Sequence, residues 1–376
     1  MRRPAYPRCM TVAVDPEFWR DRNVLVTGHT GFKGAWLTLW LQALGARVTG
    51  FADTIPTTPS LFVLAGAGNG IQDIRADVRN HGAVLRAVAD HEPEIVIHLA
   101  AQAFVRPSFT NPRETYETNV MGTVNVFEAV RASASVRAVV NVTSDKCYDN
   151  WPAREPRPFV ENDPKGGHDP YSSSKGCAEL VADAYLRSFF TAGRDGPRLG
   201  SARAGNVIGG GDWGPERLIP DIMHGALAGT PIAIRDPGAV RPWQHVLNPL
   251  SGYLRLAQAL HDDSRHQGGW NFGPEVDDAR PVRWIADRVN ELWPGDLSWD
   301  VDAGRHPHEA HHLTLDSSKA KHELGWTPTW GLEESLAGIV SWYEALHAGA
   351  DMRVVTLAQI DAFQAAAARA STAPQD

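Results

Sequence analysis

Two short segments carry the residue types that acid–base chemistry needs: Ser144, Asp145 and Lys146 in TSDKCY (143–148), and Tyr171 and Lys175 in YSSSK (171–175). A tyrosine and a lysine four positions apart share one helix face, and an ammonium beside a phenol favours the phenolate. Such a phenolate takes a hydroxyl proton while the carbon beneath it loses hydride. Y-x-x-x-K alone arises by chance in many helices. Here Ser144 stands at a strand end 27 residues before Tyr171, and a glycine turn lies further upstream. Together the three features point to an oxidoreductase site.

That glycine turn is VLVTGHTGFKG, with Gly28, Gly31 and Gly34 after one strand and at the start of a helix. Gly28 permits a tight turn, Gly31 lets backbone approach a pyrophosphate, and Gly34 allows close helix packing. The context predicts dinucleotide binding; a purely structural turn is the other reading. For the adenosine ribose, Asp53 lies near the position where an acidic residue is expected, with ribose contact and loop capping both open. Asp77, with Val78, is the favoured adenine-side position. NAD is expected rather than NADP, because no arginine immediately follows the second strand to receive a 2′-phosphate.

These residues need a frame. From Asn23 the chain alternates β-branched runs with helical stretches: NVLVTG, a helix from about Gly34, ARVTGF, IQDIRADV, EIVIHLAA and AVVNVTS. That alternation predicts an α/β fold, a doubly wound parallel sheet of Rossmann type. After about residue 203 the sequence turns to Gly, Pro and Trp, which predicts a smaller, interleaved substrate-binding domain. The expected division is an N-terminal extension (1–19), a dinucleotide-binding domain (20–204 and about 233–262), a substrate domain (about 205–232 and 263–345) and an Ala-rich C-terminal helix and tail (346–376). The tail's last residues are expected to fray. Residues 248–260 read as an amphipathic helix of the first domain.

Composition sets bounds. Among 376 residues, 36 Lys and Arg stand against 44 Asp and Glu, a net charge of -8, which argues against a nucleic-acid partner. Cys9, Cys147 and Cys177 are too few and too scattered for a disulfide framework or a zinc knuckle, so a reducing cytoplasm fits. The best apolar run, Ala35 to Leu44, falls short of the roughly 18 residues of a membrane span, and the first residues lack a signal peptide's apolar stretch. Arg305 and His308 in GRHPHEAHHL suggest a metal cluster at first sight. Without a nearby cysteine or second cluster, no metal is expected, and a nucleotide-facing loop or solvated surface is the better reading.

GHTGFKGAWL, HLAAQ, NVMGTVNVFEA, TSDKCY, YSSSKGCAELV, RAGNVIGGGDW, RLIPDI, RPWQHVLNPLSGYL, WNFGP and LDSSKA run in order from about 18 to about 343. In these segments the chain resembles the CDP-glucose 4,6-dehydratases of the extended short-chain dehydrogenase/reductase superfamily. The resemblance implies a lyase with NAD as cofactor and a nucleotide sugar as substrate. Thr30, Phe32, Lys33, Leu99, Ala100, Ala101 and Asn119 would then join the glycines, Asp77, Val78, Tyr171 and Lys175 around the cofactor. Ser-Asp-Lys after the strand is the pattern of the CDP-glucose enzymes. It implies that Tyr171, aligned by Ser144, removes the C4 hydroxyl proton while hydride passes to NAD, that Lys146 or a water it orients takes the C5 proton, and that Asp145 protonates the departing C6 hydroxyl. The alternative for Lys146 is electrostatic stabilisation of the enolate.

Arginine meets phosphate bidentately, so Arg217 and Arg241 are first choices for the diphosphate, with Asn206 in support. Gln102, Arg106 and His308 complete the expected substrate set, although His98 and Gln102 read equally well as loop-fixing residues. Ala103, Phe104, Ser173 and Asn248 depart from the pattern of relatives. A homodimer through helices near 115–131 and 171–190 is the default, with a tetramer as alternative. Competing functions are a 4-epimerase, a dehydratase of a UDP-, dTDP- or GDP-linked sugar, and a non-enzymatic NAD(P)-sensing Rossmann protein.

Overall fold

The computed structural model describes residues 13–150, 157–191, 196–295, 297–302, 304 and 313–372. Its frame is a parallel sheet of seven strands: β1 (Asn23–Thr27), β2 (Arg47–Ala52), β3 (Gln72–Arg75), β4 (Ile95–His98), β5 (Ala138–Val142), β6 (Arg198–Arg203) and β7 (Gly268–Asn271). The spatial order is β7-β6-β5-β4-β1-β2-β3. The order reverses between β1 and β4, and ligands of open α/β sheets bind beyond the strand ends at such a point. Strands β4 and β5 are buried at every residue, as their largely Ile and Val runs require of strands covered on both faces, and they bury His98 and Asn141 with them.

Helices cover each face. On one, α1 (Phe32–Ala43) and α5 (Leu247–Asp262) bury Trp36, Trp40, Leu250 and Leu254. On the other, α2 (His81–His91) and α3 (Gly122–Ala132) bury Val84, Val88, Phe127 and Val130. Between them in the chain runs α4 (Pro170–Ser188), opened by Asp169, whose carboxylate accepts the Ser172 N–H at 2.8 Å, with Pro170 at the first helical position.

Beyond β6 the chain leaves the sheet for small pairings. Val207–Ile208 pairs with Gln244–His245, Ile232–Ile234 with Trp299–Val301, and Val240–Pro242 antiparallel with Ala279–Pro281. The predicted amphipathic helix is α5. Strand β7, in the WNFGP region assigned by sequence to the smaller domain, instead pairs with β6 and forms the sheet edge. The tryptophan-rich character of the chain is mostly packing, with Trp19, Trp36, Trp40, Trp270, Trp326 and Trp342 fully buried.

The chain closes with α6 (Leu332–His347) and the Ala-rich α7 (Met352–Thr372). Helix α7 lies on α1: the Phe363 and Trp40 rings meet edge to face at 5.6 Å, and Arg353 donates to the Gly66 carbonyl at 3.0 Å and to Gln42 Oε1 at 2.9 Å. The fraying expected of the tail falls on 373–376, outside the described residues. Among the described residues, no helix is long and apolar enough to cross a membrane.

Candidate active site

The turn from β1 into α1 is tight because three pieces of backbone touch. Gly28 adopts φ +73°, and a Cβ there would fall 2.7 Å from the Ala100 backbone nitrogen; a Cβ on Gly34 would overlap the Gly28 carbonyl. Gly31, by contrast, has room within the protein. It caps α1 without a side chain, so the first N–H groups of that twelve-residue helix are left for a ligand.

Above the turn opens a cleft of about 410 Å³, walled by Gly28, Thr30, Gly31, Phe32, Lys33 and Gly34. Asp53, Asp77 and Val78 line one end, Leu99 to Ala101 the middle, and Tyr171 and Lys175 the other end. Bare glycine backbone at a helix start, carboxylates at one end and a phenol at the other fit NAD: pyrophosphate on the helix N-terminus, ribose hydroxyls on a carboxylate. Both ribose candidates face this space. Asp77 accepts the Arg79 N–H and guanidinium, each at 2.8 Å, and the guanidinium bond holds its carboxyl below the usual range. Asp53 is exposed just past the end of β2.

The five expected catalytic residues meet where β5 ends against α4. Ser144 Oγ donates to Asp145 Oδ1 at 2.8 Å and accepts the Lys146 N–H at 3.3 Å. Asp145 is pressed against Gly205, where any Cβ would overlap its carboxylate. The tyrosine is held from below by its own N–H, which donates to Ser108 Oγ at 3.1 Å.

One electrostatic expectation is corrected. Tyr171 is not lowered: burial pushes it up to about 12, with Asp145 adding to the rise and the Ser144 hydrogen bond and Arg217 opposing it. Burial also pushes Lys175 down to about 8, against the pull of Cys147 and Glu179. Desolvation acts on phenolate and ammonium alike, and the helix-face argument leaves it out. Lys33 is a further cation here. Burial, then Arg217 and Lys175, push it down to about 8, while Asp145 and Asp212 oppose.

Behind this cluster lies a network that the sequence reading missed. Arg203 meets Glu179 bidentately at 2.9 and 2.6 Å, with both side chains almost fully buried. Thr143 donates to the same carboxylate, and Arg203 donates to Tyr148 Oη at 2.7 Å. The Tyr148 hydroxyl in turn donates to Asn271 Oδ1 at 2.6 Å. The network therefore grips residues on both sides of the Ser-Asp-Lys trio. Its one sequence signal was Glu179 standing four residues after Lys175.

The other predicted residues divide. Gln102 and Arg217 line the cleft, the latter paired with Asp212 at 3.1 Å and over the Phe104 ring at 5.0 Å. Gln102 is spent on its own loop, its amide donating to the Phe104 carbonyl at 2.9 Å. Asn119 is not on the cleft wall; it ties that loop to α4, donating to the Gln102 carbonyl at 3.0 Å and to Ser174 Oγ at 2.8 Å. His98 is a buried strut between Thr27 at 2.7 Å and Thr123 at 3.2 Å, and burial pushes it down to about 3. Arg106 pairs with Glu216 at 3.0 Å, Asn206 takes φ +50° and Arg241 lies in a short strand; none of the three lines the cleft. Arg305 and His308 lie outside the described residues. Among those described, no cluster of His, Cys, Asp and Glu could hold a metal.

A glycine turn on a Rossmann sheet, with Tyr171 and Lys175 on the cleft wall and Ser144, Asp145 and Lys146 following β5 outside that lining, defines an extended short-chain dehydrogenase/reductase. Comparison with known proteins narrows the class: the profile of the GDP-mannose 4,6 dehydratase family matches residues 25–339, and the chain belongs to that family. It is 49% identical to CDP-glucose 4,6-dehydratase of Salmonella typhimurium, over 95% of this chain and all of that one. It is 27% identical to dTDP-glucose 4,6-dehydratase of Xanthomonas campestris, over 85% and 92% of the two chains. The UDP-glucose 4-epimerase of Thermus thermophilus, solved with NAD, superposes with a TM-score of 0.73 at 25% identity, covering 86% of this chain and 99% of that one.

Proposed function

We propose that the chain is an NAD-dependent hydro-lyase that converts CDP-glucose to CDP-4-keto-6-deoxyglucose. The observation that carries this reading is the Ser144-Asp145-Lys146 trio at the end of β5, hydrogen-bonded internally and set against Tyr171 and Lys175, in a chain 49% identical to a CDP-glucose 4,6-dehydratase. An epimerase needs the tyrosine alone; elimination of water needs an acid and a base beside it.

NAD bound along the cleft would supply the redox chemistry, as the acceptor and later the donor of one hydride. Gly28, Gly31, Gly34 and the α1 N-terminus would hold its pyrophosphate, and Asp77, Val78 and Asp53 its adenosine end. Tyr171 takes the C4 hydroxyl proton, and the Lys175 ammonium favours the phenolate. The 4-ketone acidifies C5. Lys146, or a water it orients, takes that proton as Asp145 gives one to the departing C6 hydroxyl, and Tyr171 or a relay returns a proton to C5 when C6 is reduced. Arg217, already at the cleft and facing Asp212, is the side chain best placed to meet the nucleotide diphosphate. The segments after Ala204 outside α5 and β7 make up the substrate-binding side.

Exposed apolar side chains on the flank of α4 and the helices before α3, namely Phe109, Met121 and Leu180, support a homodimer through these helices. Cys147 and Cys177 are both free thiols, in keeping with a reducing cytoplasm.

The test is incubation with NAD and CDP-glucose deuterated at C4, followed by mass spectrometry and NMR of the sugar. Deuterium at C6 of a 4-keto-6-deoxy product is the expected result. Deuterium retained at C4 of an epimerised hexose would replace the dehydratase by an epimerase. Unchanged CDP-glucose, with turnover of a UDP-, dTDP- or GDP-sugar instead, would move the substrate.

A further inference from the structure

Arg217 meets the diphosphate in the reading just given, and an arginine side chain loses much rotamer freedom when it is held in one place. Whatever holds it there in advance lowers the cost of binding. We propose that the C-terminal helices do this, with Tyr343 of α6 as a positioning residue that acts on substrate affinity through Asp212 and Arg217. This rests on Arg217 as the diphosphate ligand and adds to it the part of the chain that sets the arginine in place.

The contacts run from the cleft wall to the last helices. Arg217 stands one residue before the helix Leu218–Ala228 and donates to Asp212 Oδ2 at 3.1 Å, with its guanidinium 5.0 Å over the Phe104 ring. The other carboxylate oxygen of Asp212 accepts the Gly214 N–H at 3.0 Å. Where this carboxylate sits depends on where the Asp212 backbone lies, and Tyr343 holds that backbone: its hydroxyl donates to the Asp212 carbonyl at 2.7 Å. A carbonyl oxygen only accepts, so the phenol is the donor. Next in the loop, the Trp213 ring meets the Tyr343 ring edge to face at 5.3 Å.

The loop is wedged from both sides. Gly210 lies so close to Trp342 of α6 that a Cβ would fall 2.3 Å from the indole Cγ, and Trp36 of α1 donates its indole N–H to the Gly210 carbonyl at 3.0 Å. Trp342 is tied in turn to α7, donating to Thr356 Oγ1 at 3.0 Å. Gly211, Asp212, Trp213, Gly214 and Arg217 line the cleft, so one face of the loop meets the ligand space while the other rests on α6. Tyr343, Trp342 and Thr356 are fully buried outside that lining and past the residues 25–339 that the family profile matches. They reach a substrate only through the loop.

The experiment is calorimetric titration of the NAD-loaded protein with CDP, beside steady-state kinetics on CDP-glucose, for wild type, Tyr343→Phe, Arg217→Met and the double variant, each checked for melting temperature. Tyr343→Phe keeps the ring and removes one hydrogen bond, so the loop spends less time in its binding position and apparent affinity falls with that fraction. The Kd for CDP and the KM should rise about 5–10-fold while kcat and the Kd for NAD hold. In the Arg217→Met background the same change should add nothing, because the arginine it positions is gone. A residue that only stabilised the fold would lower the melting temperature and leave CDP affinity alone. That result in Tyr343→Phe, beside a clear loss in Arg217→Met, would overturn the positioning role, as would additive losses in the double variant. CDP binding untouched by Arg217→Met would instead take the diphosphate off Arg217, and this inference with it. A wild type that binds UDP, dTDP or GDP in place of CDP would overturn the choice of nucleotide, and the four proteins are then compared with that diphosphate. Should Tyr343→Phe not fold, amide hydrogen exchange of residues 209–217 in the wild type decides: a loop set in advance is as protected before CDP as after, and protection that arises only with CDP overturns the proposal.

Discussion

Helix α4 carries, at steps of four, Tyr171, Lys175, Glu179 and Asp183, and no two of the last three meet their charge in the same way. Four residues turn a helix about 40° beyond a full revolution, so the row winds slowly from cleft to core to solvent. At the cleft, Lys175 is buried with no hydrogen bond or ion pair from the described residues on its ammonium, and burial pushes it down to about 8. One turn on, Glu179 is equally buried but gripped by Arg203 and Thr143, and its carboxyl stays below the ordinary range despite burial, through the Arg203 charge and hydrogen bonds. Asp183, on the outside, faces Arg187 at 4.0 Å in water. One helix therefore holds a charge left open for chemistry, a charge closed off for structure and a charge that does little. The difference is whether buried charge finds its partner inside the protein.

Substitutions along this row test that contrast. Tyr171→Phe should lower kcat by about 10²–10⁴-fold while melting temperature and NAD binding hold, since it removes only the proton acceptor; a matching loss of stability would make the cleft end structural after all. Arg203→Met should do the reverse, costing about 3–5 kcal/mol of folding free energy in denaturant titration by leaving Glu179 buried and unpaired. The double variant with Glu179→Met should recover most of that loss. Lys175→Met should abolish turnover yet stabilise the fold at neutral pH, on the order of 1–3 kcal/mol. The sign follows from the lysine's folded value of about 8 against 10.5 when free. Between those values the unfolded chain binds the extra proton, so wild-type stability gains from Lys175 as pH rises from about 8 to 10.5, and that portion of the pH dependence should vanish in the methionine variant. Asp183→Asn should change stability by less than about 0.5 kcal/mol, fixing the low end of the scale.

The same contrast explains what could be read in the sequence. The glycine turn, the Ser-Asp-Lys trio, the Tyr-Lys pair and the strands around them are each contiguous, so type and spacing were enough to find them; the glycine turn and the Tyr-Lys pair line one cleft, and the trio follows β5. The Arg203–Glu179 pair joins residues from different elements, and nothing near Arg203 in sequence marks its partner. Strand β7 was hidden because GGWN is too short and glycine-rich for a strand pattern, and its place comes only from pairing with β6. Arg241 was chosen because arginine suits phosphate, but residue type does not tell a cleft wall from a short strand. The tyrosine's acidity was misjudged for a related reason: spacing gives neighbours, whereas desolvation depends on everything that packs around them.

Helix α7 has a consequence for how the molecule is made. It is the last helix of the chain, yet it lies on α1, the helix that opens from the glycine turn, with Phe363 against Trp40 and Arg353 bonded to Gln42. A ribosome delivers Trp40 long before Phe363, and Trp40 waits for this part of its covering until α7 is made. The helix that opens from the glycine turn thus acquires this part of its backing only once α7 has been made.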